Sequence, residues 1–384
     1  MRLTFGPFIL GALTLVPVTA GAQLTFTPHT IATELDGGYQ VVAADLNADG
    51  RPDLIAIASR LTELLWFENP TWERHVIAAD RAGMINLAAR DLDGDGIPEI
   101  ALAEGFSTRP ERSEGIVSVL THQGDPTARW SVREIDRVPM AHRLRWIDLD
   151  GDVRLVNAPL AGATSQPPDY RGETPLYLYE PGTWTRTLIA NDAGVIHGIQ
   201  PVTWNGDSPA EALLSASFLG VHLHRYAGGD WTRTRIHPGD PSDWPASGSS
   251  EVGLGHAGGQ DFIATIDPWH GHQVVIYTRD GDTWARHVID DTLEDGHTLV
   301  VGDLDTDGNG GNDEIVVGAR RGAQVAIYRS SGDEWTKQVI DDGGMAAAGC
   351  AITDLNDDGR PDIACIGSGT ANLKWYENQP TVTR

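Results

Sequence analysis

The sequence predicts an all-β protein: a seven-bladed β-propeller of four-stranded blades, closed by its N-terminal strand. Three observations carry that prediction. An aromatic residue followed five places later by isoleucine recurs along the chain. Each repeat unit holds four strand-like runs bounded by Gly, Pro, Asn and Asp, with no helical period. The last unit lacks a fourth run, and a spare copy of the recurring segment stands near the N-terminus.

The recurring pair reads Trp72–Ile77, Trp130–Ile135, Trp184–Ile189, Trp231–Ile236, Trp284–Ile289 and Trp335–Ile340, with Phe26–Ile31 as the N-terminal copy. Copies are roughly fifty residues apart, a propeller-blade period. In the first unit the predicted strands are Val41–Asp45, Leu54–Ala58, Leu64–Phe67 and Trp72–Ile77. The last unit offers Gly349–Asp354, Ile363–Gly367 and Leu373–Tyr376, so Phe26–Ile31 is expected to complete it. A ring closed this way leaves no open sheet edge.

Arg2, the apolar run Phe5–Val18 and the small-x-small tripeptide Ala20-Gly21-Ala22 form the pattern of a signal peptide. The run is short for a membrane span. Residues 1–22 are therefore expected to be a leader, and residues 23–384 a single propeller domain in the periplasm or outside the cell. The formal charge of −26 excludes nucleic acid and anionic membrane surfaces as general partners. Cys350 and Cys365 flank a predicted hairpin turn. An oxidising compartment permits a disulfide between them, and two small core residues are the other reading.

Much of the negative charge sits in short loops between first and second strands. These read Asp45, Asn47, Asp49, Gly50, Asp53; Asp91, Asp93, Asp95, Gly96, Glu99; and Asp354, Asn356, Asp358, Gly359, Asp362. Asp303, Asp305, Asp307 and Gly308 form a fourth copy, lengthened before Asp313 and Glu314. Alternate carboxylates in a tight turn aim oxygens at one centre, the glycine permits the turn, and a later acid closes the shell. Calcium, which takes six to eight hard oxygens, suits that arrangement. Asp148, Asp150 and Asp152 are a remnant, and WNGDSPAE and GHAGGQD have lost the motif.

The units VVAADLNADGRPDLIAIAS, LVVGDLDTDGNGGNDEIVVGAR and CAITDLNDDGRPDIACIGS resemble FG-GAP/VCBS repeats, the integrin-type propeller repeat. That resemblance implies the propeller fold and calcium, within a family holding adhesins, lectin-like modules and sugar lyases. DGHTLVVGDLDTDG and HVIDD are also similar to the propeller domain of aldos-2-ulose dehydratase, which implies a carbohydrate lyase.

Placing the histidines in the repeat separates two groups. His29, His75 and His287 share one outer-strand position, and His122, His222, His224 and His237 lie on or beside the outer two strands. These are expected to pack. His142, His197 and His297 stand just before innermost strands, with Tyr39 at the analogous place in the first unit. Turns between second and third strands, on the same face, add Arg60, Arg109, Trp269, His270, His272, Arg320 and Arg321. A strongly acidic chain thus gathers His, Tyr and Arg at one end of its central channel. Histidine acts as a base near neutral pH. Arginine neutralises a carboxylate or a developing enolate, and Trp269 could stack on a sugar. The set suits proton abstraction beside a carbonyl or carboxylate, then C–O elimination, on a sugar or uronate polysaccharide. A histidine cluster equally suits zinc or another transition metal. Competing readings are a non-catalytic carbohydrate- or protein-binding propeller, as in adhesins, and a glycoside hydrolase. No serine-hydrolase elbow, phosphate loop or dinucleotide fingerprint stands in its required context.

Overall fold

The structure is a computed structural model that describes residues 23–204, 212–306, 312–332 and 334–380. The expected leader, Asp307, Gly308 and most of WNGDSPAE lie outside the described residues. The described chain forms seven antiparallel four-stranded sheets. The first blade runs β2 (Gly38–Ala44), β3 (Asp53–Ala58), β4 (Leu64–Glu68) and β5 (Glu73–Ala78) from the axis outwards. The innermost strands of the next six blades are β6 (Asn86–Arg90), β10 (Ala141–Leu149), β14 (Ile196–Val202), β18 (Val252–Ala257), β22 (Gly296–Gly302) and β26 (Ala347–Thr353). Each touches the next around the ring, and β26 touches β2.

The seventh blade closes as predicted. Strand β1 (Thr25–Ala32) pairs antiparallel with β28 (Leu373–Gln379), from Thr25 opposite Gln379 to Ala32 opposite Leu373. Strands from both ends of the chain therefore share one sheet. No helix among the described residues is long and apolar enough to cross a membrane.

The spacing of five in the repeated pair now has a physical reason. The aromatic stands at or just before the start of the outer strand, and the isoleucine is the residue at which that strand's pairing slips by one. The two side chains enter layers on opposite sides of the blade. Trp130 packs with Ile55, Trp66 and Leu102 between the first and second blades, while Ile135 packs between the second and third. Trp184 joins Ile135 there, and Ile189 reaches the next interface with Trp231. The pattern continues through Ile236 with Trp284, Ile289 with Trp335, and Ile340 with Phe26. Ile31 meets Trp72 between the last blade and the first. Each outer strand thus contributes to the layers on both sides of its blade. The hydrophobic core is a set of inter-blade layers of this kind.

Polar staples reinforce these layers at the acidic loops. The Asp53 carboxylate accepts from the backbone N–H groups of Leu46 and Asn69 at 2.9 and 2.8 Å. Asp362 does the same for Leu355 and Asn378. The amide of Asn69 crosses to the Leu355 carbonyl of the preceding blade at 2.7 Å, and that of Asn378 crosses to the Leu304 carbonyl at 2.7 Å. Cys350 and Cys365 face each other on β26 and β27 (Asp362–Gly367) and are disulfide-bonded, settling the two sequence readings.

In the fourth blade, His222 and His224 on β16 (Gly220–Ala227) are buried. His224 Nε2 lies 2.9 Å from Ser215 Oγ, and His222 Nε2 lies 3.0 Å from Arg233 Nη2. Burial first, then Arg233 for His222 and His222 for His224, depress both imidazoles from 6.5 to about 3. Outer-strand histidines elsewhere brace acidic loops. His75 stacks on Trp66 and bonds Glu68, which bonds Asn47. His29 stacks on Trp375 and bonds Glu377, which bonds Asn356.

Two outcomes follow from this packing. Ile77→Ala, which empties a fully buried position in the layer between the first two blades, should cost about 2–5 kcal/mol in denaturant titration. Val339→Ala, at an exposed outer-strand position, should cost under about 0.5 kcal/mol. Second, the unfolded chain binds more protons than the folded one between the depressed values of His222 and His224 and 6.5. Their stabilising effect is present above 6.5 and lost as pH falls through that window, by up to about 1.4 kcal/mol per pH unit per histidine. A melting-temperature series from pH 7 to pH 4 should slope downward, and His224→Gln should flatten the slope.

Candidate functional site

A backbone irregularity builds the site. In five blades the pairing of the innermost strand slips by one residue at its start. The slips fall at Tyr39, His142, His197, His297 and Ala348. The fifth blade does the same at Glu251, because the Ser250 N–H bonds the Ile266 carbonyl while Val252 pairs with Thr265. A β-bulge leaves one residue out of the ladder and re-aims its side chain. Here the bulged side chains Tyr39, His142, His197, Glu251 and His297 meet at one end of the channel. Glu251 was not among the residues expected from sequence, although it occupies the same repeat position as the histidines.

Contacts tie the group together. The Tyr39 hydroxyl lies 2.9 Å from His142 Nε2, and Arg143 Nη1 lies 3.3 Å from the same nitrogen. Ring centroids of His142, His197 and His297 follow one another at 5.1 Å. Tyr39 and His297 are 5.0 Å apart. His270 reaches in from the turn after β19 (Gln260–Asp267), where a φ of 50° folds the chain back towards the axis. Its Nε2 lies 3.2 Å from His197 Nε2. His197, His270 and His297 each present a ring nitrogen within 4.8 Å of the other two.

The outer nitrogens of these rings are anchored. His197 Nδ1 lies 2.8 Å from Glu251 Oε1 and 3.2 Å from Ser250 Oγ. His297 Nδ1 donates to the Ala348 carbonyl at 2.7 Å, leaving its buried Nε2 unpartnered. His270 Nδ1 stands 3.1 Å from Arg320 Nη2 and 3.8 Å from Asp295 Oδ1. Arg320 is held by Asp295 at 2.9 Å, and Arg143 by Glu251 at 2.7 Å. Burial, with the Arg143 charge next, keeps His142 and His197 well below the ordinary imidazole value. Burial and Arg320 do the same for His297, and hold His270 to about 3. All four rings are therefore neutral at pH 7, available as proton acceptors or metal ligands.

His142, His197 and His297 are each 1% exposed, so they plug the channel beneath its mouth. Above them stands an aromatic roof. Trp269 packs on His270, Phe218 and Tyr170 at 4.7, 5.6 and 5.8 Å, and Tyr170 hydrogen-bonds the Thr108 carbonyl. Below them a cavity of about 520 Å³ runs along the innermost strands, with Tyr39, Arg143, Glu251 and His297 at one end and Arg90 and Thr353 at the other. Of the two neighbouring arginines, Arg320 reaches the cluster, and Arg321 is exposed. Arg60, Arg109 and His272 are likewise exposed on the rim. Arg143, Glu251 and Asp295 complete the site. The sequence signals for them were proximity to His142, a shared repeat position, and a place just before β22.

The acidic loops differ by one methylene in a way that decides their geometry. Asp53 and Asp362 use both oxygens on backbone N–H groups. Glu99 and Glu314 bond Leu92 and Leu304 in the equivalent way, and their longer side chains also approach Asp91 with Asp93, and Asp303 with Asp305. Asp95 turns to His122 at 2.7 Å. Asp313 leaves the loop and bonds the His256 N–H at 2.7 Å.

Fold and site define a seven-bladed propeller with a polar, histidine-rich centre. Residues 45–102 match the FG-GAP-like repeat family, and residues 114–280 match the β-propeller domain family of aldos-2-ulose dehydratase. Both resemblances read in the sequence are borne out. A relative, aldos-2-ulose dehydratase of Phanerodontia chrysosporium, is 26% identical over 263 residues. The match covers 59% of this chain and 28% of that relative's length.

Proposed function

We propose that this propeller is a carbon–oxygen lyase that dehydrates a sugar, and that His142 with Tyr39 moves the proton. The observation that carries this reading is the convergence of four neutral histidines, Tyr39 and Arg143 on one end of the channel. Similarity to a named dehydratase supports it. Tyr39 lines the cavity, and its hydroxyl is within hydrogen-bonding distance of His142 behind it. A proton leaves the carbon next to a carbonyl and passes to His142 through the Tyr39 hydroxyl. The C–H electron pair forms a C=C bond as the C–O bond one carbon further breaks. The proton returns to the departing oxygen, which leaves as water. Arg143 would offset the partial negative charge that builds on the carbonyl oxygen as the C–H bond breaks.

The residues also fit a transition metal such as zinc. His197 and His297 are anchored through Nδ1 and present Nε2, the His297 Nε2 is buried without a partner, and His270 adds a third nitrogen. A carboxylate behind a metal-binding imidazole, as Glu251 stands behind His197, fixes its orientation. When bound, such a metal supplies Lewis-acid polarisation of a substrate carbonyl. Calcium in the loop closed by Glu99 is supported by the convergence of its three carboxylates. In the loop closed by Glu314 the three carboxylates also converge, but Arg329 reaches Asp305 at 2.9 Å and Glu314 at 3.5 Å, so an ion there competes with the guanidinium. Export is supported by the leader pattern and by the Cys350–Cys365 disulfide.

Incubation with a panel of keto-sugars and uronate oligosaccharides should give the ultraviolet absorbance of a conjugated product. His142→Asn should lower that rate by roughly 10²–10⁴ without shifting the melting temperature by more than a few degrees. His287→Ala, on an outer strand, should leave it unchanged. If no panel member is eliminated but sugars bind, the non-catalytic binding propeller replaces this reading. Elemental analysis of the purified chain should find calcium and one transition metal. Glu99→Gln should lower only the calcium content, and His297→Ala only the transition metal. A chelator should reduce the melting temperature, since both ions bind the folded state alone. Metal at background level for both elements overturns the metal assignments.

A further inference from the structure

The channel below the histidines carries a charge that the protein itself does not balance. Residues Arg143 and Arg145 project from alternate positions of β10 into the cavity, and Arg90 stands at its far end. Arg90 pairs with Asp148 at 3.0 Å. Arg143 pairs with Glu251, the acid that also holds His197. Arg145 contacts only neutral oxygens, the Asn86 side-chain carbonyl at 3.2 Å and the Leu144 carbonyl at 2.7 Å, both through Nη1. Among the described residues no carboxylate lies within ion-pairing distance of it. Burial and the nearby Arg143 draw its guanidinium down to about 10, against a smaller opposing pull from the more distant Glu251 carboxylate. The four neighbouring imidazoles are neutral and add no charge of either sign. Much of the remaining wall consists of small apolar side chains such as Ala88, Val300 and Ala351, which strengthen a fixed charge by excluding water.

We infer that the channel is an anion-binding subsite, in which the free edge of the Arg145 guanidinium receives the carboxylate of an acidic sugar. One uncompensated cation matches one carboxylate, and the guanidinium edge left by Nη1 offers the paired N–H geometry a carboxylate accepts. A chain carrying a net charge of −26 repels anions at its surface, so a cationic recess at its axis selects for them. The sugar part of the assignment rests on the carbohydrate reading above. The anion part does not.

Titration calorimetry on the full chain with sodium glucuronate, glucose and inorganic phosphate tests it. Glucuronate should bind, glucose should bind at least roughly 30-fold more weakly, and Arg145→Met should weaken glucuronate by a similar factor. Arg145→Lys should keep part of the affinity, and higher salt should reduce it. If Arg145→Met fails to fold, the lysine variant and the salt series give the answer. Equal binding of glucose and glucuronate, or unchanged affinity in Arg145→Lys with no salt dependence, overturns the subsite. Phosphate binding more tightly than glucuronate overturns the sugar assignment while leaving an anion site. Glucuronate titration and the elimination assay run side by side on the parent chain separate the two proposals: glucuronate bound with no panel member eliminated would sink the reaction and keep the subsite.

Discussion

The architecture depends on one packing constraint, an aromatic residue and an isoleucine that each outer strand sends to opposite sides of its blade. Because the two face opposite sides of a blade, no blade can bury its own pair. Trp130 needs the first blade, and Ile135 needs the third. Layers linked in this way leave an exposed layer at any break, so the ring must close. The meeting of Ile31 with Trp72 removes the last break. Stability is correspondingly cooperative between neighbours, and the inner strands are held around a common axis although their own sequences vary widely.

That variability is where function enters. In six blades the inner strand spends little on ladder pairing at one residue near its start, since the bulge takes it out of the ladder and points it at the axis. Six such positions line the axis, and at each of them a blade can change one side chain without disturbing a layer. This chain places Tyr39, His142, His197, Glu251 and His297 there, and Ala348 in the last blade. Glu251 has the widest consequence. It compensates buried Arg143 and anchors His197 at once. Removing one partner of a buried ion pair leaves an unbalanced charge and typically costs about 3–5 kcal/mol. The acid is therefore a structural as well as a functional member of the group.

Much of this was legible in the sequence, for reasons that can be located. Seven-fold recurrence averages out local ambiguity, so strand number, blade number and the closing strand could all be read from it. The position of the histidines in the repeat placed His142, His197 and His297 together correctly, because a repeat position is a spatial position in a ring. Long turns obey no such rule. Arg320 and Arg321 are adjacent, and a single step of backbone direction sends one to His270 and the other to solvent. His270 comes inward through a left-handed residue conformation that the letters Trp-His-Gly-His do not announce. Glu251 is not marked by residue type, because the bulge selects position and accepts an acid as readily as a histidine.

The acidic loops show the same limit on a finer scale. Their four motifs look equivalent as strings, yet the closing residue has two jobs. It must staple the loop by accepting the N–H of Leu46, Leu92, Leu304 or Leu355. It must also offer an oxygen to the loop centre if a cation is to be enclosed. Aspartate at this depth spends both oxygens on the staple, and burial raises Asp53 and Asp362 to about 6. Glutamate, one methylene longer, keeps the staple and still approaches the other carboxylates. Burial raises Glu314 further, to about 7, because it stands deeper beside Asp305. A carboxyl that titrates so near neutrality beside other acids is one for which a bound cation and a proton are direct competitors. Loop chemistry and loop stability are therefore coupled through one side chain. A change from Glu to Asp at that position alters both, which is why motif counting alone does not give the number of ions.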